Sequence, residues 1–133
     1  MNCWSSLMEY RIAIIGSRDF NNYDYVESKV KELMPKEDLE FIIVSGGARG
    51  VDTLAEQFAD KYNYAKEIYR AKWHSHGKCA GYLRNHDIVR HADMVIAFWN
   101  GISKGTKHTI NIAKNGERIV HVIRVDNIPK ESN

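Results

Sequence analysis

Short apolar runs alternate with longer amphipathic stretches along this chain. The runs are rich in Ile and Val, and most do not alternate with polar residues, which is typical of strands covered on both faces of a sheet. They lie at 11–15, 41–44, 67–69, 94–98 and 119–125. Between them, apolar residues recur three and four positions apart, and this spacing predicts helices at 25–34, 51–62, 78–91 and 106–115.

The alternation of strands and helices predicts right-handed crossovers and a parallel sheet with helices on both faces. We therefore predict an α/β fold, a Rossmann-like three-layer α/β/α sandwich with a parallel sheet of about five strands. Residues 10–126 are predicted to form this domain. Residues 1–9 are interpreted as an N-terminal extension, and residues 127–133 as a polar C-terminal tail that is frayed.

Charge, cysteine content and the length of the apolar runs limit the kinds of partner that we expect for this protein. The 133 residues suffice for one domain, and Lys and Arg exceed Asp and Glu by only two, which argues against a surface coated by nucleic acid but allows a local basic pocket. The two cysteines, Cys3 and Cys79, do not form a disulfide framework, so we expect a cytoplasmic protein. No apolar run approaches the roughly 20 residues of a membrane span, so no membrane partner is expected.

Three glycine-containing loops follow predicted strands, where parallel sheets bind ligands, and they lie at 16–20, 45–50 and 100–106. Glycine lets backbone N–H groups approach an anion, and the next helix adds the positive end of its dipole. Neither G-x-x-x-x-G-K-[ST] nor G-x-G-x-x-G is present, so the pattern indicates only an anion or phosphate site, against the alternative that the glycines close tight turns. The candidate ligands are Gly16, Ser17, Arg18, Ser45, Gly46, Gly47, Ala48, Arg49, Gly50, Gly105 and Thr106.

Five further polar residues have two open interpretations each. Asp52 is either a helix cap or a contact for a ribose or amine, with capping favoured, and Thr106 is either a helix N-cap or a phosphate ligand. Lys78, Arg84 and Asn85 lie on one predicted helix. Arg84 and Asn85 are consecutive and should not share a face, so a solvated basic face is the default interpretation.

The histidines, the cysteine and the tryptophans in the middle of the chain do not by themselves indicate a metal site or a base-binding site. His74, His76 and Cys79 have donor atoms that zinc prefers, but their spacing has no matched second half, so we predict no metal site. Trp73 and Trp99 follow strands and could stack on a base, although packing at the rim of the core is an equal alternative.

Five ordered motifs resemble the SLOG superfamily and, within it, the YspA-type, YpsA-related branch. The motifs are RIAIIGSRDF at 11–20, VSGGARGVD at 44–52, GKCAGYLRN at 77–85, ADMVIAF at 92–98 and GTKHTI at 105–110. The resemblance spans nearly the whole chain and implies a Rossmann-like fold with a nucleotide-derived ligand. It also implies that Asp52, Lys78, Arg84 and Asn85 line the ligand site together with the glycine loops.

The branch is related to cytokinin-activating phosphoribohydrolases, which cut the N-glycosidic bond of nucleoside monophosphates. Arg84 matches their helix arginine, but their glutamate in G-G-x-G-T-x-x-E falls on Thr109. Threonine cannot stabilise the oxocarbenium-like charge that a carboxylate stabilises. Asp52, Asp19 and His108 are the residues that could substitute, and His108 is included among the candidate ligand contacts.

The loop at 45–52 also resembles the DNA-processing protein DprA, which binds single-stranded DNA, but the near-neutral charge does not favour that ligand. The sequence therefore predicts a module that binds a nucleotide or nucleotide-derived ligand, as a sensor, carrier or sequestering protein. A nucleotide-processing enzyme and a single-stranded nucleic-acid binder are the alternatives. No cofactor other than this ligand is predicted, and the resemblance implies a homo-oligomer.

Overall fold

Strands and helices alternate through the part of the chain that the computed structural model describes, residues 7–131. The elements are β1 (Glu9–Gly16), α1 (Tyr23–Leu33), β2 (Glu40–Ser45), α2 (Val51–Lys61), β3 (Ala65–Ile68), α3 (Trp73–His76), a 3-10 turn (Gly77–Cys79), α4 (Ala80–His91), β4 (Met94–Trp99), α5 (Lys104–Asn115) and β5 (Ile119–Arg124).

The five strands form one parallel sheet in the order β3-β2-β1-β4-β5. The chain moves outward from β1 in one direction through β2 and β3, then returns to the other side of β1 through β4. This reversal between β1 and β4 opens a crevice at the carboxyl ends of the two strands, where sheets of this type bind ligands.

Apolar packing on both faces of the sheet explains why the central runs are apolar except for Arg11 at the start of the first. From β1, Ile12 and Ile14 pack with α1 and α2 on one face, whereas Ala13 and Ile15 pack with α4 and α5 on the other. Alternate side chains of a strand point to opposite faces, so a strand inside a three-layer sandwich is apolar throughout. The predicted Rossmann-like α/β fold is confirmed.

The edges of the sheet and the chain ends differ from the sequence-based prediction. β3 and β5 are partly exposed along most of their length, because an edge strand has a neighbour on one side only. β1 already starts at Glu9, which pairs with Glu40. The segment expected to fray is hydrogen-bonded up to Glu131: Asn22 Nδ2 donates to the carbonyl of Pro129 over 3.0 Å, and Asn21 bridges to Glu131.

The structure describes one of the two cysteines. Cys79 is a free, exposed thiol, and Cys3 lies outside the described residues. Among residues 7–131, no helix is long and apolar enough to cross a membrane.

Candidate functional site

Two adjoining cavities occupy the carboxyl edge of the sheet. The first, which we name the switch-point cavity, has a volume of about 380 Å³ and is lined by Ile15, Gly16, Arg18, Asp19, Ala48, Arg49, Asp52, Arg84, Asn85, Ile88, Asn100, Ser103, Gly105, Thr106 and Thr109. The second, the arginine cavity, has a volume of about 470 Å³ and is lined by Arg18, Gly46, Gly47, Ala48, Arg49, Arg70, Ala71, Trp73 and Arg84. They share Arg18, Ala48, Arg49 and Arg84, so they form one continuous cleft.

Close backbone contacts fix the loops that surround the switch-point cavity. A Cβ on Gly16 would lie 2.3 Å from the carbonyl oxygen of Phe98. Gly50 has a φ of +76°, and a Cβ there would lie 2.5 Å from the carbonyl oxygens of Ser17 and Arg18. Both glycines are therefore needed for the loops to approach one another, and their first role is to position the cavity wall.

The loop between β2 and α2 folds around two side chains. Ser45 Oγ donates to the carbonyl of Asp52 over 3.0 Å and accepts from the N–H of Gly47 over 3.2 Å. Asp52 Oδ2 accepts from the N–H of Ala48 over 3.2 Å. The N-cap of α2 is Gly50, so the favoured capping interpretation of Asp52 is wrong, because its carboxylate turns back into the loop.

The carboxylate of Asp52 lies in the cavity wall with only 6% of the residue exposed. Burial raises the pKa of Asp52 to about 6, and the neighbouring Glu56 adds to this effect. The Ala48 N–H, Arg84 and Arg18 act in the opposite direction. A carboxyl group that titrates near neutral pH in a cavity can exchange a proton with a bound ligand.

Arg84 is held at the wall between the two cavities. Its Nη1 donates to the carbonyl of Gly46 over 2.6 Å, and its Nε donates to Oδ1 of Asn85 over 3.0 Å. The expectation that Arg84 and Asn85 do not share a surface is therefore wrong, because the long arginine side chain reaches back to its neighbour. Burial lowers the pKa of Arg84 from its ordinary value, although Asp52 opposes this shift, and a guanidinium stays protonated at neutral pH.

Asn85 joins α4 to α5 behind Arg84. Its Nδ2 donates to the carbonyl of Gly105 over 3.3 Å and lies 3.1 Å from Nδ1 of His108. An amide NH₂ only donates, so Nδ1 of His108 is the acceptor in this contact. Burial lowers the pKa of His108, and His86 adds to this effect, which favours the neutral ring that the contact requires.

The loop between β4 and α5 is organised by Asn100 and Ser103. Asn100 Oδ1 accepts from the N–H groups of Ile102 and Ser103 over 2.8 and 2.9 Å. Ser103 is the N-cap of α5, and its Oγ accepts from the N–H of Thr106. The N-cap interpretation of Thr106 is therefore wrong, and Thr106 lines the cavity instead. Thr109 is buried in the same wall, and its Oγ1 donates to the carbonyl of Gly105 over 3.1 Å.

The structure brings most of the predicted ligand residues to one cleft. Five of the predicted ligand residues line neither of these two cavities. Ser17, Ser45 and Gly50 are buried within the loops, and His108 contacts Asn85. Lys78 is exposed in the 3-10 turn, because the predicted helix at 78–91 starts only at Ala80.

Sequence reasoning had not placed several cavity residues in the site. Asn100 and Ser103 belong to the third glycine loop, so its position after a strand was a usable signal. Arg70 follows β3, whose short apolar run gave a weak signal. Ile15 and Ile88 line the cavity from the core, and no local pattern separates such residues from other core positions.

The two tryptophans have different roles. Trp99 Nε1 donates to the carbonyl of Ser103 over 3.0 Å, and the guanidinium of Arg124 lies 5.2 Å from its ring centroid, so Trp99 supports the loop. Trp73 is 55% exposed and lines the arginine cavity. In the described part of the chain, no group of three or more His, Cys, Asp or Glu residues could hold a metal ion.

Comparison with known proteins agrees with the resemblance inferred from the motifs. A family model described as YspA, cpYpsA-related SLOG family matches residues 10–76. A protein of Mycobacterium phage D29 named "Gene 61 protein" is 36% identical over 110 residues, which cover 78% of this chain and 88% of that protein. No solved structure matches the chain. The resemblance to the YspA-type branch is confirmed.

Proposed function

Because the chain belongs to the YspA, cpYpsA-related SLOG family, we propose that it binds a nucleotide or nucleotide-derived ligand at the carboxyl edge of its sheet. We assign it the role of a sensor, carrier or sequestering module. The observation that carries this proposal is the position of Arg84, held by Gly46 and Asn85 in the wall that the two cavities share.

A phosphate group fits best at that shared wall. Arg18, Arg49 and Arg84 line both cavities, and within the described residues the guanidinium groups of Arg18 and Arg49 make no hydrogen bond or ion pair. The amide N–H groups of Arg49 and Gly105 also donate no hydrogen bond within residues 7–131. Unpaired cations and free amides beside two helix N-termini favour an anion.

The remainder of the switch-point cavity fits a nucleoside. Its volume of about 380 Å³ lies within the range of small-ligand sites. Asp19, Asn100 and Thr106 offer hydrogen-bond partners for sugar hydroxyls, and the almost fully buried Ile15 and Ile88 form an apolar floor. This mixture of a few polar groups with an apolar wall is typical of ligand sites.

Binding without turnover is favoured over hydrolysis by Thr109. Its hydroxyl is occupied by the carbonyl of Gly105, and it offers no carboxylate to a developing positive charge. One observation supports cleavage of an N-glycosidic or phosphoester bond as a second candidate function: the buried carboxyl of Asp52 lines the same cavity. Such a group could act as a general acid or base.

Thermal unfolding with a panel of nucleotides tests the binding proposal. Ligand at a hundred times its dissociation constant stabilises the folded state by about 2.7 kcal/mol. We expect a clear rise in Tm for one nucleotide class with wild type, none with Arg84→Ala, and an unchanged rise with Arg90→Ala. Arg90 is the matched control because it is an exposed arginine on the same helix that pairs with Asp87. No rise for any nucleotide would contradict the proposal.

Chromatography of the bound nucleotide after incubation tests the second function. Intact nucleotide at high protein concentration supports a binding module. If product forms, Asp52→Asn should abolish its formation while the rise in Tm with substrate persists. Product formation that survives Asp52→Asn would remove Asp52 from the reaction.

A further inference from the structure

The arginine cavity has a composition that a mononucleotide does not explain. Four arginines line it, and no Asp or Glu does, although Lys and Arg exceed Asp and Glu by only two in the whole chain. Arg18, Arg49 and Arg84 are shared with the switch-point cavity, whereas Arg70 belongs to the arginine cavity alone. Asp19 and Asp52 line the switch-point cavity and not the arginine cavity, so four arginines stand against two carboxylates in the whole cleft. This excess of cations on a nearly neutral protein favours an anion of more than one charge.

Arg70 is already oriented toward this space. It follows β3, and its Nη1 donates to the carbonyl of Gly47 over 3.1 Å. The guanidinium lies so close to the loop that a Cβ on Gly47 would come within 2.8 Å of Nη1. An arginine held by one of its donors retains further N–H groups for a phosphoryl oxygen, at a reduced entropy cost on binding.

Trp73 supplies a flat apolar surface in the lining of the arginine cavity. Trp73 is 55% exposed, and its ring has no aromatic partner among residues 7–131. One edge of the indole rests on α4, where a Cβ on Gly81 would lie 3.4 Å from it. An exposed indole beside clustered arginines is suited to stacking on a base.

We infer that the arginine cavity is a subsite for a second phosphoryl group and a second ring, so that the ligand is two nucleoside-like units joined through a diphosphate. This inference rests on the proposed function, because the first nucleotide unit lies in the switch-point cavity. The diphosphate then lies across the shared wall beside Arg18, Arg49 and Arg84, the second phosphoryl group reaches Arg70, and the second ring stacks on Trp73.

Calorimetric titration of the 133-residue chain separates these contributions. For each common base, the probes are the nucleoside 5′-monophosphate, the 5′-diphosphate and the symmetrical 5′,5′-dinucleoside diphosphate. We expect affinity to rise at a first step, from the monophosphate to the diphosphate, and at a second step, from the diphosphate to the dinucleoside diphosphate. The second step should give about ten-fold, because base stacking on an aromatic side chain provides a gain of this size. Arg70→Ala should remove the gain at the first step, and Trp73→Ala the gain at the second.

Control variants distinguish a subsite from a general defect. Monophosphate affinity should be unchanged in Arg70→Ala and Trp73→Ala, Trp73→Phe should restore most of the second gain, and Arg90→Ala should change nothing. Equal affinity of wild type for the monophosphate and the dinucleoside diphosphate would overturn the inference while leaving the proposed function intact. Equal weakening of all probes by Trp73→Ala would also overturn it.

Two more outcomes are decisive. Tighter binding of a ten-nucleotide single strand than of the dinucleoside diphosphate would overturn the inference in favour of a nucleic-acid strand along the cleft. An absence of binding by every probe, with no effect of Arg84→Ala, would remove the proposed function itself and the inference with it.

Discussion

Replacement of Asp52 by Asn should make this protein more stable at neutral pH, although Asp52 lines the candidate site. Asp52 is 6% exposed, and the N–H of Ala48 is the hydrogen-bond donor to its carboxylate. Asparagine has nearly the same shape, and its side-chain oxygen can accept the same bond. The substitution therefore removes a buried charge while it preserves the packing and the contact with the loop.

The expected magnitude follows from the pKa of Asp52, which burial raises to about 6 from 3.8. That difference corresponds to about 3 kcal/mol. Between these two values the folded state holds a proton that the unfolded state has lost, so the stability of wild type falls as the pH rises through this window and levels off above it. Asp52→Asn lacks this loss, so its advantage should grow from near zero at pH 4 to about 3 kcal/mol at pH 7.

Urea denaturation at pH 4, 5, 6 and 7 measures this advantage, because all other titrating groups are common to both proteins. Asp60→Asn is the matched control: Asp60 is exposed on the same helix and pairs with Lys66, so its loss should cost less than about 1 kcal/mol. A stability difference for Asp52→Asn that does not change with pH, or a variant less stable than wild type at pH 7, would refute the reasoning.

Three further perturbations have defined outcomes. Gly50→Ala should lower the free energy of unfolding by about 2–4 kcal/mol in urea, because a positive φ and a close carbonyl contact exclude a Cβ, whereas Gly116→Ala, with its closest contact at 3.4 Å, should be neutral or stabilising. The His108 ring should titrate below its ordinary pKa of 6.5 by NMR, and the stability this group contributes should be lost as the pH falls; a value at or above 6.5 would contradict burial of the neutral ring. Asn85→Ala should weaken nucleotide binding roughly ten-fold by removing one of the two contacts that hold Arg84, while circular dichroism stays unchanged; full affinity would show that the contact with Gly46 alone suffices to hold Arg84.

The sheet and the edge where the candidate site lies followed from local patterns. The runs that became β1, β2 and β4 are apolar at every position except Arg11 because helices cover both faces, and the parallel topology follows from the intervening helices. The glycine loops could be located for the same reason, since each follows a run of that kind. The edge strands were harder to delimit, because partial exposure weakens the apolar signal in β3 and β5.

The details of the site depended on contacts between distant parts of the chain. Arg84 donates to Gly46, which is 38 positions away, and helical spacing alone had separated Arg84 from Asn85. Lys78 and Arg84 could not be distinguished by sequence, because both are cations on one predicted helix. In the structure Lys78 is exposed, whereas Arg84 lies in the cavity wall. Likewise, Thr106 was a possible cap until the start of α5 showed that Ser103 is the N-cap.

The sequence by itself determined the α/β class, the parallel sheet and the position of three glycine loops at its carboxyl edge, because hydrophobic periodicity and loop chemistry are properties of short segments. Only the tertiary structure decided that Asp52 is buried, that Arg84 is held between two cavities, and that Arg70 and Trp73 face the second one. Burial, pKa and cavity shape arise from atoms that several elements contribute at once, and no single segment of the chain contains that information.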